Sequence, residues 1–261
     1  MSAYERWNAL LDLLAQEGRL SVDAAAAGLN VSAATIRRDF DQLAQQQLLI
    51  RTRGGATANT VSYDLPLRYK TARHASEKQR IGAAAAKLVE SGATVGLNGG
   101  TTTTEVARAI ATHNELLHSP NGPSVTVVTN ALNIANELAV RPHVKIVVTG
   151  GVIRPQSYEL IGPLGTLLLE ELTLDLVFLG VDGLDPELGA SAHHEGEASI
   201  NQLMARRAKQ VVVIADSSKL GAQAFARICK VEEIDTVITD SGAPDEIVRR
   251  LGDRGVRVLT A

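Results

Sequence analysis

The sequence predicts an α/β protein in two parts: a small helical domain closed by a β-hairpin, then a larger, mostly parallel α/β domain. Three observations carry this. Capped, amphipathic helical patterns crowd residues 2–43. Short, nearly continuous apolar runs then alternate with stretches long enough for crossover helices. Between these textures, residues 58–76 lose clear periodicity and contain Pro66, which marks a linker between domains at 1–57 and 77–261.

From Ala3 to Glu17, Trp7, Leu10, Leu11 and Leu14 recur at helical spacing, with Ser2 as cap and Gly18 as stop. Arg19 to Val22 is short and extended. Ser21 or Asp23 begins a second helix through the alanine run to Gly28, and Leu29-Asn30-Val31 makes a tight turn. Ser32 caps a third helix from Ala33, whose Ile36, Phe40 and Leu43 share one inward face. Ser32 and Ala34 at its start, with Thr35, Arg37, Arg38 and Gln42, then face outward toward phosphates and base edges. Taken alone, the segment also fits an amphipathic helix with a solvated charged face. In order, these pieces form a helix-turn-helix. The β-prone run from Leu49 turns at Gly54-Gly55, as in a hairpin wing. Arg51 and Arg53 share one side of a period-2 strand, in reach of a phosphate backbone or minor groove, or else lie on a solvated edge.

In the larger domain the apolar runs are Thr94 to Leu97, Val125 to Thr129, Val144 to Thr149, Leu176 to Leu179, Val211 to Ala215, Thr236 to Thr239 and Val256 to Leu259. They predict a Rossmann-like sheet, and open parallel sheets bind ligands beyond their strands' carboxyl ends. Five ends carry polar or glycine-rich signals. The first, Asn98-Gly99-Gly100-Thr101-Thr102-Thr103, opens a helix; its glycines, hydroxyls and free N–H groups suit an anion or simply a capped turn. The others are Thr129-Asn130, Gly150-Gly151 with Arg154, Gly180-Val181-Asp182, and Asp216 to Lys219. A threonine-rich cradle, an arginine, an aspartate and a lysine on one edge suit a phosphorylated sugar or polyol.

The 261 residues suffice for a proper core, and 45% hydrophobic residues with 3% aromatics describe an alanine- and valine-rich chain. No apolar run approaches a membrane span, and Met1-Ser2-Ala3-Tyr4-Glu5-Arg6 does not open a secretory signal, so a soluble, cytoplasmic protein without membrane association is expected. Cys229 is the sole cysteine, which excludes an internal disulfide. A net charge of −3 confines any DNA binding to a local face. Phosphate-loop, dinucleotide and nucleophile-elbow motifs are missing.

Arg6, Leu10 and Leu14, the run Ser32-x-x-Thr35-Ile36-Arg37-Arg38-Asp39-Phe40 and the Arg53-Gly54-Gly55 wing closely resemble the DeoR family of bacterial transcription repressors. The resemblance continues through Glu77-Lys78, Gly100-Thr101-Thr102, Val128-Thr129-Asn130, Gly150-Gly151, Ile161-Gly162-Pro163, Gly180-Val181-Asp182-Gly183 and Asp216-Ser217-Ser218-Lys219. It implies Thr35, Arg37 and Arg38 at DNA, with Asp39 fixing an arginine or the wing, since a carboxylate repels phosphate. It also implies a sugar-phosphate sensor related in fold to ribose-phosphate isomerases and CoA-transferases. Asn98 stands where the family commonly has aspartate, so amide readout replaces a carboxylate contact there.

The competing expectation is an isomerase-like enzyme with an accessory DNA-binding domain, because Asp182 and Asp185 resemble that fold's paired aspartates. No lysine occurs between Lys145 and Lys209, however, so the enzymatic set is incomplete. Glu195 or Glu197 is expected at ligand hydroxyls. A metal held by His193, His194, Glu195 and Glu197 is disfavoured, since adjacent histidines seldom point at one ion. The sequence thus predicts a non-catalytic repressor of a carbohydrate-catabolism operon, without cofactor, binding double-stranded operator DNA as a homo-oligomer. Its effector contacts are expected from Asn98, Gly100, Thr101, Thr102, Thr103, Thr129, Asn130, Gly151, Arg154, Asp182, Glu195 and Lys219.

Overall fold

The computed structural model describes residues 1–46, 48–58, 66–71, 73–117 and 122–261. The chain divides into two compact units, Met1–Ala72 and Arg73–Ala261. That division falls inside the stretch 58–76 assigned to a linker, of which residues 59–65 and 72 lie outside the described residues.

In the first unit, α1 (Ala3–Glu17) is opened by a reciprocal cap. The Ser2 hydroxyl accepts from the Glu5 N–H at 3.2 Å, and the Glu5 carboxylate accepts from the Ser2 N–H at 2.6 Å. Gly18 ends the helix in the left-handed region. After β1 (Arg19–Ser21), Ser21 caps α2 (Val22–Leu29), and Asn30 ends it at φ +52°. Ser32 then caps α3 (Ala33–Gln45) by accepting from the Thr35 N–H at 3.1 Å. Ile36, Phe40 and Leu43 are wholly buried against Leu10, Leu14 and Leu20. The hairpin β2 (Leu49–Thr52) and β3 (Gly55–Ala58) pairs Thr52 with Gly55, leaving Arg53 and Gly54 as its turn. Strand β1 adds antiparallel to β3, and a Cβ at Gly55 would lie 2.3 Å from the Leu20 carbonyl oxygen. Helix α4 (Leu67–Lys70) follows Pro66 within the stretch assigned to the linker.

The second unit begins with α5 (Ala75–Ala86), β4 (Thr94–Leu97), α6 (Thr101–Ala111), α7 (Asn114–Leu117), β5 (Val125–Thr129), α8 (Leu132–Leu138) and β6 (Val144–Val148). A hairpin of β7 (Val152–Arg154) and β8 (Glu159–Ile161) leads to α9 (Pro163–Glu170), β9 (Leu174–Gly180), β10 (Gly183–Asp185) and β11 (Gly189–Ala192). The chain ends with α10 (Glu195–Arg207), β12 (Ala208–Ile214), β13 (Ala226–Cys229), β14 (Thr236–Thr239), α11 (Asp245–Asp253) and β15 (Arg257–Thr260).

Seven strands form one sheet in the order β15-β14-β12-β9-β4-β5-β6, every neighbouring pair parallel. Alternation along the central strands feeds two cores. Leu176, Phe178, Val212 and Ile214 pack with Ile81 of α5, Val106 and Ile110 of α6 and Ile134 of α8. Val177, Leu179, Val211 and Val213 pack with Leu169 of α9, Met204 of α10 and Leu251 of α11. Both faces are covered, which is why these strands read as unbroken apolar runs. The chain builds outward from β4 through β6, then resumes on the other side of β4 with β9. The sheet therefore has a topological switch point between β4 and β9. Two antiparallel additions, the β7–β8 hairpin and the small sheet β10-β11-β13, escaped the sequence reading because their strands have three or four residues.

No helix among the described residues is long and apolar enough to cross a membrane. Cys229 is free and buried, and burial pushes its thiol pKa up to about 12. It is not a reactive thiolate.

Candidate functional site

The cap at Ser32 and the inward stripe leave one face of α3 outward. Ser32, Ala34, Arg37, Arg38 and Gln42 are exposed, and Thr35 is half-buried with its hydroxyl 2.9 Å from that of Ser32. Asp39 points the other way, only 3% exposed. Its carboxylate accepts from Arg6 Nε at 2.5 Å, Arg6 Nη2 at 3.0 Å and Trp7 Nε1 at 2.8 Å, tying α3 to α1. The pair raises the Arg6 pKa further through the Asp39 hydrogen bond. Asp39 thus fixes an arginine; the indole donor went unnoticed because Trp7 reads as a core residue.

The wing differs from the expectation. Arg53 lies in the turn, so it does not share a strand side with Arg51. Arg51 is half-buried over the Phe40 ring, 5.6 Å from its centroid, and donates to Asp41 Oδ1 at 2.7 Å and to the Gly55 carbonyl at 2.6 Å. Its guanidinium joins the wing to α3, whereas Arg53 is exposed at the tip.

In the second unit, parallel strands bring their carboxyl ends to one edge, with the switch point between Asn98 and Gly180. Asn98 is buried and both ends of its amide are engaged across that gap: Nδ2 donates to the Gly180 carbonyl at 2.9 Å and Oδ1 accepts from the Gly180 N–H at 2.8 Å. Gly100 precedes α6 at φ +143°, and no side chain caps the helix. The first N–H groups of α6 have no partner within the helix. The Thr103 hydroxyl donates to the Gly100 carbonyl at 3.0 Å, while Thr101 and Thr102 make no side-chain hydrogen bond among the described residues. Thr129 is wholly buried and accepts from the Ala131 N–H at 3.1 Å. Gly151, at φ +126°, lets β7 approach β8; a Cβ there would meet the Ile161 carbonyl oxygen at 2.6 Å.

Arg154 is buried rather than presented at the surface, and its Nη1 donates to Glu197 Oε1 at 3.0 Å. The inward carboxylate of α10 is therefore Glu197, whereas Glu195 is exposed. Glu159, which the sequence reading passed over, is buried at 3% exposure and packs on Gly99, where a Cβ would lie 2.3 Å from its Cγ. Asn130 Nδ2 donates to Glu159 Oε2 at 2.9 Å. Burial, then Glu197 and Asp182, push the Glu159 carboxyl up to about 8 against the opposing Asn130 hydrogen bond and Arg154. The signal available in sequence was an acid opening the apolar strand Glu159-Leu160-Ile161.

Asp182 Oδ2 accepts from the His193 N–H at 3.0 Å, and His194 Nδ1 caps α10 by accepting from the Gly196 N–H at 3.1 Å. Asp185 Oδ1 accepts from the N–H groups of Glu187 and Leu188 in the β10–β11 turn. Lys219 is half-buried on the 3-10 turn after β12; its backbone N–H donates to the Asp216 carbonyl at 3.0 Å, while its ammonium makes no hydrogen bond or ion pair among the described residues.

Comparison with known proteins decides the family. Residues 6–62 match the DeoR-like helix-turn-helix domain, and residues 73–241 match the DeoR C terminal sensor domain. The chain belongs to the DeoR family. Its relatives match end to end. The HTH-type transcriptional repressor GlcR of Bacillus subtilis is 34% identical over 98% of this chain and 95% of its own. The HTH-type transcriptional regulator GlpR of Haloferax volcanii is 33% identical over 98% and 96%. The glycerol-3-phosphate regulon repressor of Escherichia coli K12 is 29% identical over 99% of both. All three bear the names of regulators. Ribose 5-phosphate isomerase A from Neisseria gonorrhoeae matches in structure at 18% identity, over 54% of this chain and 52% of its own, with a TM-score of 0.40. This DeoR-family member is a helix-turn-helix transcriptional regulator with a C-terminal sensor domain.

Proposed function

We propose that this regulator represses a carbohydrate-catabolism operon and that a phosphorylated sugar, bound at the strand ends of the second unit, controls it. The observation that carries the reading is the uncapped start of α6 beside the β4–β9 switch point, where free N–H groups and the Thr101 and Thr102 hydroxyls point an anion site. Lys219, arriving from β12, supplies the countercharge for the phosphate. Asp182, Glu159 and Asn130 receive the sugar's hydroxyl groups, and the Arg154–Glu197 pair braces them. Asn98, Thr103, Thr129 and Gly151 shape the crevice through their engaged polar groups and close backbone approaches instead of touching the ligand. One relative is named for the glycerol-3-phosphate regulon, which agrees with a phosphate ester.

On DNA, Ser32, Ala34, Thr35, Arg37 and Arg38 read the major groove, Arg53 reaches from the wing, and Arg51 holds the wing in register. One such domain covers too little DNA for strong specificity, so a homo-oligomer on repeated half-sites follows. A ligand alters repression only if it prefers one arrangement of the protein over the other.

The test is a thermal-shift screen of sugar phosphates beside their unphosphorylated parents, with each hit repeated in an operator-binding assay. A native-state ligand must raise the apparent stability. Stabilisation by one phosphate ester, together with changed operator affinity, is the expected outcome. Stabilisation by parents alone would overturn the anion site.

A further inference from the structure

The exposed apolar side chains of the second unit gather at one place. Around the outer strand β6, the β7–β8 hairpin and α9, Val152 is 68% exposed and Leu164 and Leu167 are 64% each, with Val148 and Ile153 also exposed. One close contact joins them. A Cβ at Gly165 would lie 2.9 Å from the Gly150 carbonyl oxygen, and each of these side chains stands within three residues of that contact along the chain. Their apolar area is on the order of several hundred Å², the size at which a surface patch marks a contact site. Strand β6 also ends the sheet on that side, paired only with β5, and an uncovered edge is a pairing hazard. A second, independent observation is the charge of α9. The helix opens at Gly162 without a side-chain cap and has no basic residue in its last turn; Glu170 ends it and Glu171 follows, both exposed and without an ion pair among the described residues. That order opposes the helix dipole, which is positive at the start and negative at the end. Leu164, Leu167 and Glu171 fall at i, i+3 and i+7, so they share one face.

We infer that this face is the contact with a second copy of the chain, its α9 packed antiparallel on the other copy's α9 about a twofold axis near Leu167. The inference rests on the homo-oligomer reading above and names the surface that makes it. An antiparallel pair corrects the charge. Glu170 and Glu171 of each copy come over the uncapped first turn of the other, where acid is favourable. The twofold also sets Leu164 and Leu167 of one copy against the same residues of the other, as a self-complementary contact requires. Two such patches with their polar rims supply the area of about 1,000 Å² or more that a specific interface buries. A lipid surface is the wrong occupant, because an interfacial helix carries lysine and arginine beside its apolar face and α9 carries acid.

The experiment is sedimentation equilibrium of the full chain, wild type beside the double substitution Leu164→Glu with Leu167→Glu, with circular dichroism as the check on folding. Both leucines are exposed and lie outside the DNA and effector contacts. The wild type should sediment as an oligomer. The double variant should need a concentration about a hundredfold higher or more to associate, since each copy would bring two unpaired carboxylates into the contact. A direct reading comes from Leu167→Cys, which under a mild oxidant should form a reducible dimer across the axis. Cys229 does not compete, being buried and unreactive. Val140→Cys, at a position 77% exposed before the amino end of β6, should not cross-link. Should the double variant not fold, the cross-link decides. An oligomer whose mass the double variant leaves unchanged overturns the inference and leaves the homo-oligomer reading intact. So does a Leu167→Cys variant that cross-links no more than Val140→Cys. A wild type that is monomeric both free and on operator DNA removes the homo-oligomer reading itself.

Discussion

Asp39 and Glu159 are both buried carboxylates, and their surroundings set them opposite tasks. Asp39 has three side-chain donors from Arg6 and Trp7. Asp39→Ala strands a largely buried guanidinium and should cost about 3 kcal/mol, read as a lower denaturation midpoint of the first unit. Glu159 has one side-chain donor and acidic neighbours, and its pKa rises from 4.5 to about 8. The folded state therefore holds this proton more tightly than the unfolded chain. The stability this proton contributes is complete below about pH 4.5 and is lost as pH rises through about 8. Thermal unfolding between pH 5 and 8 should show this decline in the wild type, and Glu159→Gln should flatten it. A slope unchanged by the substitution would assign the pH dependence elsewhere. Asp39 was legible in the sequence through the family resemblance that the Arg37-Arg38-Asp39-Phe40 run carries and through the repulsion between a carboxylate and phosphate. Glu159 was not, because its burial depends on Gly99, Asn130 and Glu197 brought from three other elements.

At the scale of elements, caps and periodicity foretold most boundaries. Ser2, Ser21 and Ser32 each accept a first-turn N–H, and these bonds form within four residues of sequence. The wing shows where local reading stops. A two-residue turn moves Arg53 off the strand, and Arg51 is drawn back onto Asp41 and Phe40, contacts set by how the hairpin meets α3. Gly55 is required by proximity, since β3 runs against β1 with no room for a side chain. Gly55→Ala should push the wing from β1, costing about 1–3 kcal/mol of first-unit stability and weakening operator binding more than effector binding. Calorimetry and an operator-binding assay on one preparation would check both. Normal stability would mean that β1 gives way freely.

For the whole molecule, the family and the two-unit plan separate DNA contact from ligand contact. Arg37→Ala should weaken operator binding, lower its salt dependence by about one counterion, and leave ligand stabilisation intact. Lys219→Ala should retain operator binding and lose the response to a phosphate ester. Binding curves for both variants over a salt series would check this, and loss of both activities in either variant would contradict the separation. The sequence by itself determined the caps, the inward stripe of α3, the strands of the parallel sheet and the glycine-threonine turn. Each of those follows from bonds within a few residues or from burial on both faces of a strand. Tertiary structure alone decided the strand order and its switch point, the engagement of Asn98 with Gly180, and the Arg154–Glu197 pair with Glu159 beside it. Those depend on which distant residues share a low-dielectric space, and there a polar group is either satisfied by the fold or left for a ligand.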